Sequence, residues 1–179
     1  MQKSILVKIV LFTLLCSSQI NSQTKKKISK IAFGSCSNQS SSLPIFNNIV
    51  NHDPDLFIFL GDNIYGDTQD MDKLKSKYER LLSKDSYIHL KKNVPIIATW
   101  DDHDYGLNDA GKNYPLKEAS KEIFLDAFDE PKNSERRNHK GIYHSYEYGA
   151  LGNKVQVILL DTRTFRDARF LLSYGAIHP

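Results

Sequence analysis

The stretch VPIIATWDDHDY, residues 94–105, decides the reading of the fold. Val94 to Thr99 is a short apolar run between polar segments, the pattern of a buried strand. At its end, Asp101, Asp102, His103 and Asp104 place three carboxylates and an imidazole in four consecutive positions. Adjacent carboxylates repel, and half-buried ones stay ionised only when something positive compensates them. No Lys or Arg lies within the cluster. A bound cation is the economical solution, and His103 suits either a metal ligand or a proton donor. An isolated acidic run is ordinarily a solvated loop, so the weight rests on whether the arrangement recurs.

It recurs at three other places. Ile28 to Phe33 reads as a strand that runs into Gly34-Ser35-Cys36-Ser37-Asn38. Leu56 to Leu60 is apolar without alternation, as in a strand covered on both faces, and it stops at Gly61-Asp62-Asn63-Ile64-Tyr65. Val155 to Leu160 ends in Asp161-Thr162-Arg163. Helices are expected between the first three strands. One opens at Pro44, with Ile45, Phe46, Ile49 and Val50 on its inner face. A second is capped near Asp70 and carries Leu74, Tyr78, Leu81 and Leu82 at helical spacing. A third is expected from about Leu116 to Phe128, and Ile142 to Tyr148 should pair with the 155–160 strand as a hairpin. Arg136 and Arg137 fall in a charged loop over 132–140, where solvated side chains are expected.

Strands separated by helices form a βαβ layout, in which parallel strands bring their carboxyl ends to one edge of a sheet. Cys36, Asp62 with Tyr65, Asp102 with His103, and Asp161 would then share one rim. Aspartates are hard oxygen donors, a thiolate is softer, and a phenolate favours a strongly acidic cation. The mixed set suggests a trivalent or borderline metal with a hard divalent partner. Two cations bridged by a carboxylate acidify water and hold phosphate oxygens in line, so phosphate-ester hydrolysis is the natural use. For Cys36 a buried small hydrophobe is the competing reading. For Asp161 and Arg163 a buried ion pair weighs equally against a role in the site.

Of 179 residues, 40% are hydrophobic and 25% charged, which suits one soluble domain. The net charge of +3 comes from scattered lysines with no aromatic-basic groove, so no nucleic-acid surface is expected. Residues 1–22 read as a secretory signal peptide: Lys3 and Lys8 flank or interrupt an apolar run from Ile5 to Leu15, and small residues follow. The run is too short to span a bilayer comfortably. The expected location is therefore periplasmic or extracellular. Lipid anchoring at Cys16 is disfavoured by the bulky Leu14 and Leu15 before it. Residues 23–30, with Lys25-Lys26-Lys27, read as a linker. Once the leader is removed, Cys36 has no cysteine to pair with.

FGSCSN at 33–38, FLGDNIYGD at 59–67, ATWDDHDYG at 98–106 and VILLDTR at 157–163 together resemble the PhoD-like alkaline phosphatases of the metallophosphoesterase superfamily. The resemblance implies an α/β fold, a four-layer αββα sandwich, with a two-metal centre of Fe3+ and Ca2+. It casts Asp62 as the bridging carboxylate, Cys36 and Tyr65 as iron ligands, and Asp102 as a further ligand. His103 becomes the group that stabilises the phosphoryl transition state or protonates the leaving oxygen. Asn63, Asp101, Asp104, Asp161 and Arg163 are expected behind them. Residues 31–168 correspond to the N-terminal part of such a domain, and 169–179 form a tail unlike what should follow. His178 is too isolated to serve as a missing ligand. The expectation is an incomplete domain that exposes an apolar face. The activity expected is that of an alkaline phosphatase or phosphodiesterase, with an inactive remnant that binds metal weakly or not at all as the alternative.

Overall fold

Ile31–Gly34 (β1), Leu56–Phe59 (β2) and Ile96–Ala98 (β3) form a parallel sheet in the order β1-β2-β3. Phe57 pairs with Ala32 and Ile96, and Ile58 pairs with Phe33 and Ile97. The structure is a computed structural model, and it describes residues 27–168. The expected leader (1–22), the first half of the expected linker (23–26), the tail at 169–179, and with them Cys16 and His178, lie outside the described residues. Where the linker becomes visible, Ile28 is buried and the Asp55 carboxylate accepts the backbone N–H groups of Ser29 and Lys30.

The absence of alternation in β2 has the expected cause: all four of its residues are buried. Phe57 and Phe59 face a helical layer, and Leu56 and Ile58 face a second sheet. The helical layer comprises Ile45–Asn51 (α1), Met71–Leu82 (α2), Asp85–Asn93 (α3) and Lys117–Ala127 (α5), with the single turn Asp102–Tyr105 (α4) at its rim. The second sheet is an antiparallel hairpin of His144–Tyr148 (β4) and Val155–Leu159 (β5). Its inner residues Tyr146, Tyr148, Val155, Val157 and Leu159 pack on Leu56, Ile58 and Ile97. Helices, parallel sheet and hairpin thus stack as the first layers of an α/β sandwich.

Four local expectations are corrected. α3 was not anticipated; it buries Tyr87 and Leu90, while exposed Ile88 blurs its apolar stripe. Ile45 begins α1 but points outward, because Phe46, Ile49 and Val50 already fill the i, i+3, i+4 face. The 132–140 loop contains a further turn, Glu135–Asn138 (α6). Arg136 there is buried, not solvated: it pairs with Glu130 at 2.9 Å and donates to the carbonyls of Ala98 and Ile142. Arg137 is likewise occupied, by Glu122 and Asp126.

The apolar faces left open are also identifiable. Phe33 on β1 is 68% exposed, Ile158 on the outer side of β5 is 62% exposed, and Leu160 just past the end of β5 is 67% exposed. Among the described residues, no helix is long and apolar enough to cross a membrane.

Candidate metal centre

Because β1, β2 and β3 run parallel, their carboxyl ends meet at one edge, and the loops leaving them are zipped together. Cys36 N–H donates to the Gly61 carbonyl at 3.2 Å and Ser37 N–H to that of Asp62 at 2.8 Å. The sharp exit from β2 uses Gly61 at φ 110°, where an added Cβ would lie 2.7 Å from the Asp101 Cβ. Cys36 and Asp62 themselves adopt φ of 60° and 52°, a strained region for residues other than glycine that is common at functional sites.

The edge gathers five of the expected residues. Oxygen and nitrogen atoms of Asp62, Asp102 and His103 lie within 4.8 Å of one another. The Cys36 thiol donates toward Asp62 Oδ2 at 3.6 Å, and the Tyr65 ring rests against the His103 imidazole, 4.5 Å between centroids. Cys36 is exposed at the mouth of its loop, which removes the buried-hydrophobe reading. Asp62 therefore shares one small volume with a thiol, a carboxylate and an imidazole, and the Tyr65 ring packs on that imidazole.

Charge balance explains much of the rest. Arg163 arrives from the loop after β5 and pairs with Asp101, while its second arm reaches Asp102 at 3.3 Å. The absence of a basic residue within 101–104 was thus only local in the chain. Arg163 does not pair with Asp161; it gives that carboxylate its backbone N–H. Burial pushes the Asp102 carboxyl up, but the Asp109 N–H at 2.6 Å and Arg163 hold it below its ordinary range. Asp62 lacks that help. Burial raises its carboxyl, His103 and Cys36 lower it, and neighbouring Asp101 and Asp102 push it up again, for a net rise. Its Oδ1 is buried without a hydrogen-bond partner, as is the Asn63 Oδ1. Unpartnered buried oxygens beside a carboxylate cluster are what a cation would satisfy. The donors present fit such an ion.

The residues expected behind the ligands act as braces. Asp104 is fully buried and faces donors only: the N–H groups of Asn63, Ile64 and Asp101 and the Tyr78 hydroxyl at 2.9 Å. Burial pushes its carboxyl up to about 7, against the pull of those donors. Asp104 and Asp101 also form a reciprocal capping box that starts α4. Asn63 donates its side-chain amide to the Thr99 carbonyl, joining the β2 and β3 loops. Asp161 accepts the Trp100 indole N–H at 3.0 Å and the Ile142 and Thr164 N–H groups, which fastens the hairpin to the end of β3. One participant was missed in the sequence. Asp67 holds His103 Nδ1 at 2.6 Å, and only the repeated Gly-Asp of Gly61-Asp62 and Gly66-Asp67 hinted at it.

The profile of the PhoD-like phosphatases matches residues 31–174. The chain belongs to the PhoD-like phosphatase family. A solved structure described as "Structure of PhoD" superposes with a TM-score of 0.64 at 19% identity, covering 79% of this chain and 32% of that one. The present chain thus spans about a third of the length of the PhoD chain it resembles, and it shares that part of its fold. No curated protein matches the sequence. In this PhoD-like chain the segments from 33, 59, 98 and 157 that resembled the family are the strand ends and loops that build the rim.

Proposed function

We propose that the protein is a metal-dependent phosphoric-ester hydrolase of the alkaline phosphatase or phosphodiesterase type. The observation that carries this reading is the convergence of Asp62, Asp102 and His103 within 4.8 Å, beside Cys36 and Tyr65, in a chain of this family. Cys36, Tyr65 and Asp62 would hold Fe3+, and Asp62 and Asp102 would hold Ca2+, with Asp62 shared. Bound there, the cations supply acidified water and neutralise phosphate oxygens. The Asp67 carboxylate can only accept, so His103 carries its hydrogen on Nδ1 and keeps Nε2 for the substrate. Held through Nδ1 by Asp67, His103 is placed to act at the leaving oxygen as the proton donor. Arg163 holds Asp101 and Asp102 in place rather than contacting the ester. Export to the periplasm or the exterior belongs to the same proposal and rests on the sequence of residues 1–22.

A second reading, metal binding without turnover, is favoured by one fact. Among the described residues a single cluster of three mutually close donors is found, whereas two ions are proposed. The deciding experiment supplies Fe3+ and Ca2+ and measures bound metal together with hydrolysis of a chromogenic phosphodiester and monoester. Turnover with two ions per chain supports the hydrolase. Bound metal without turnover on either substrate selects the second reading. Asp62→Asn is expected to lower metal content and rate together; a slow variant with both ions retained would remove Asp62 as the shared ligand.

A further inference from the structure

Tyr65 poses a positioning problem. Its ring lies at the half-open rim rather than in the core, so core packing does not dictate where the phenol goes. Its backbone, in contrast, is held on both sides. Gln39 is only 4% exposed, and its side-chain oxygen accepts the Tyr65 N–H at 2.9 Å while its side-chain nitrogen donates to the Tyr65 carbonyl at 3.2 Å. One carboxamide thereby meets both backbone groups of a single residue, as a neighbouring strand would. A flipped amide would set donor against donor and acceptor against acceptor, so the orientation is fixed. Lys77 from α2 adds bonds to the Tyr65 carbonyl at 3.0 Å and the Gly66 carbonyl at 2.6 Å. The Gln39 clamp continues the two backbone rungs, Cys36 to Gly61 and Ser37 to Asp62, that already join these loops.

We propose that Gln39 is a positioning residue for Tyr65, holding the phenol against His103 and beside Cys36. This rests on the reading of Tyr65 as a metal ligand only for its functional consequence; the placement itself is testable without metal. Burying a carboxamide is unfavourable unless its groups are satisfied, and an apolar side chain would fill the same space without ordering the loop. The identity of residue 39 therefore matters through Tyr65.

The test uses the full chain and the Gln39→Met variant, which keeps length and volume. In metal-free protein, the aromatic ring 4.5 Å from His103 should shift the imidazole proton resonances upfield, with Tyr65→Leu defining the unshifted position. Q39M is expected to lose most of that shift while keeping the wild-type far-UV circular dichroism; an unchanged shift overturns the proposal. Should Q39M not fold, Gln39→Glu carries the same measurement, because it preserves an acceptor for the Tyr65 N–H but sets an anionic oxygen against the carbonyl. Ferric-ion titration of the same proteins reads the consequence. Q39M is expected to bind about 10–100-fold more weakly, and wild-type affinity despite a lost ring shift overturns the functional half. If Tyr65→Phe leaves ferric binding unchanged, Tyr65 is not a ligand, and the ring shift still decides the placement.

Discussion

Asp104 shows how much of the rim depends on one side chain. It touches the loop after β2 through Asn63 and Ile64, the loop after β3 through Asp101, and α2 through Tyr78. Every partner is a donor, so an amide in its place would turn an NH2 group toward N–H and O–H groups. Asp104→Asn is therefore expected to cost about 1–3 kcal/mol, read by urea denaturation, and to weaken metal binding although Asp104 itself is not a proposed ligand. Stability equal to wild type would mean that the loops are held elsewhere. At this scale the sequence was informative where chemistry clusters locally, as in Asp101 to Asp104. It was silent where partners come from afar, because neither the Asp67–His103 contact nor the reach of Arg163 to Asp101, 62 residues away, leaves a local pattern.

Between elements, two buried polar joints hold the hairpin to the parallel sheet. At one, Arg136 links α6 to the end of β3 through the Ala98 carbonyl and to Glu130 and Tyr146. Removing it leaves two carbonyls without this donor and Glu130 with its Ser134 hydroxyl but no cation, so Arg136→Ala is expected to lose about 3–5 kcal/mol in chemical denaturation. At the other, burial raises the Asp161 carboxyl, but the Trp100 indole, Thr164 and the Arg163 N–H lower it further, leaving it below the ordinary 3.8. A group depressed in the folded state adds stability that is complete above its unfolded pKa and lost as pH falls through its folded pKa. Urea midpoints should accordingly drop below about pH 4 in the wild type, and Asp161→Asn, already without this contribution, should show a shallower acid limb. Parallel slopes would assign the acid loss to other carboxylates. The strands and the helices α1, α2 and α5 were legible because burial leaves periodic apolar residues. α3 and α6 were not: Ile88 interrupts the stripe of α3, and α6 is held by arginines whose burial charge alone conceals.

For the whole molecule, the most exposed apolar side chains that the two sheets carry among the described residues include Phe33 and the pair Ile158 and Leu160. Contiguous exposed apolar area drives association. Phe33→Ser combined with Leu160→Ser is expected to reduce concentration-dependent light scattering while leaving circular dichroism unchanged. Scattering unaffected by both changes would show that these surfaces are covered in solution. Exposed apolar side chains occur on both sheets among the described residues, and the resemblance to the family extended correctly to the fold. Which residues face outward on β1 and β5 followed only once the hairpin's placement was known.

The Trp100 side chain carries a practical consequence. It is the single tryptophan of the chain, almost wholly buried, and its indole N–H points at Asp161 across the joint between the two sheets. Its emission is therefore a native optical gauge of that joint, next to the rim yet not among the proposed ligands. Detachment of the hairpin alone would redden the spectrum before the helices melt, so partial opening and global unfolding can be separated without attaching any dye.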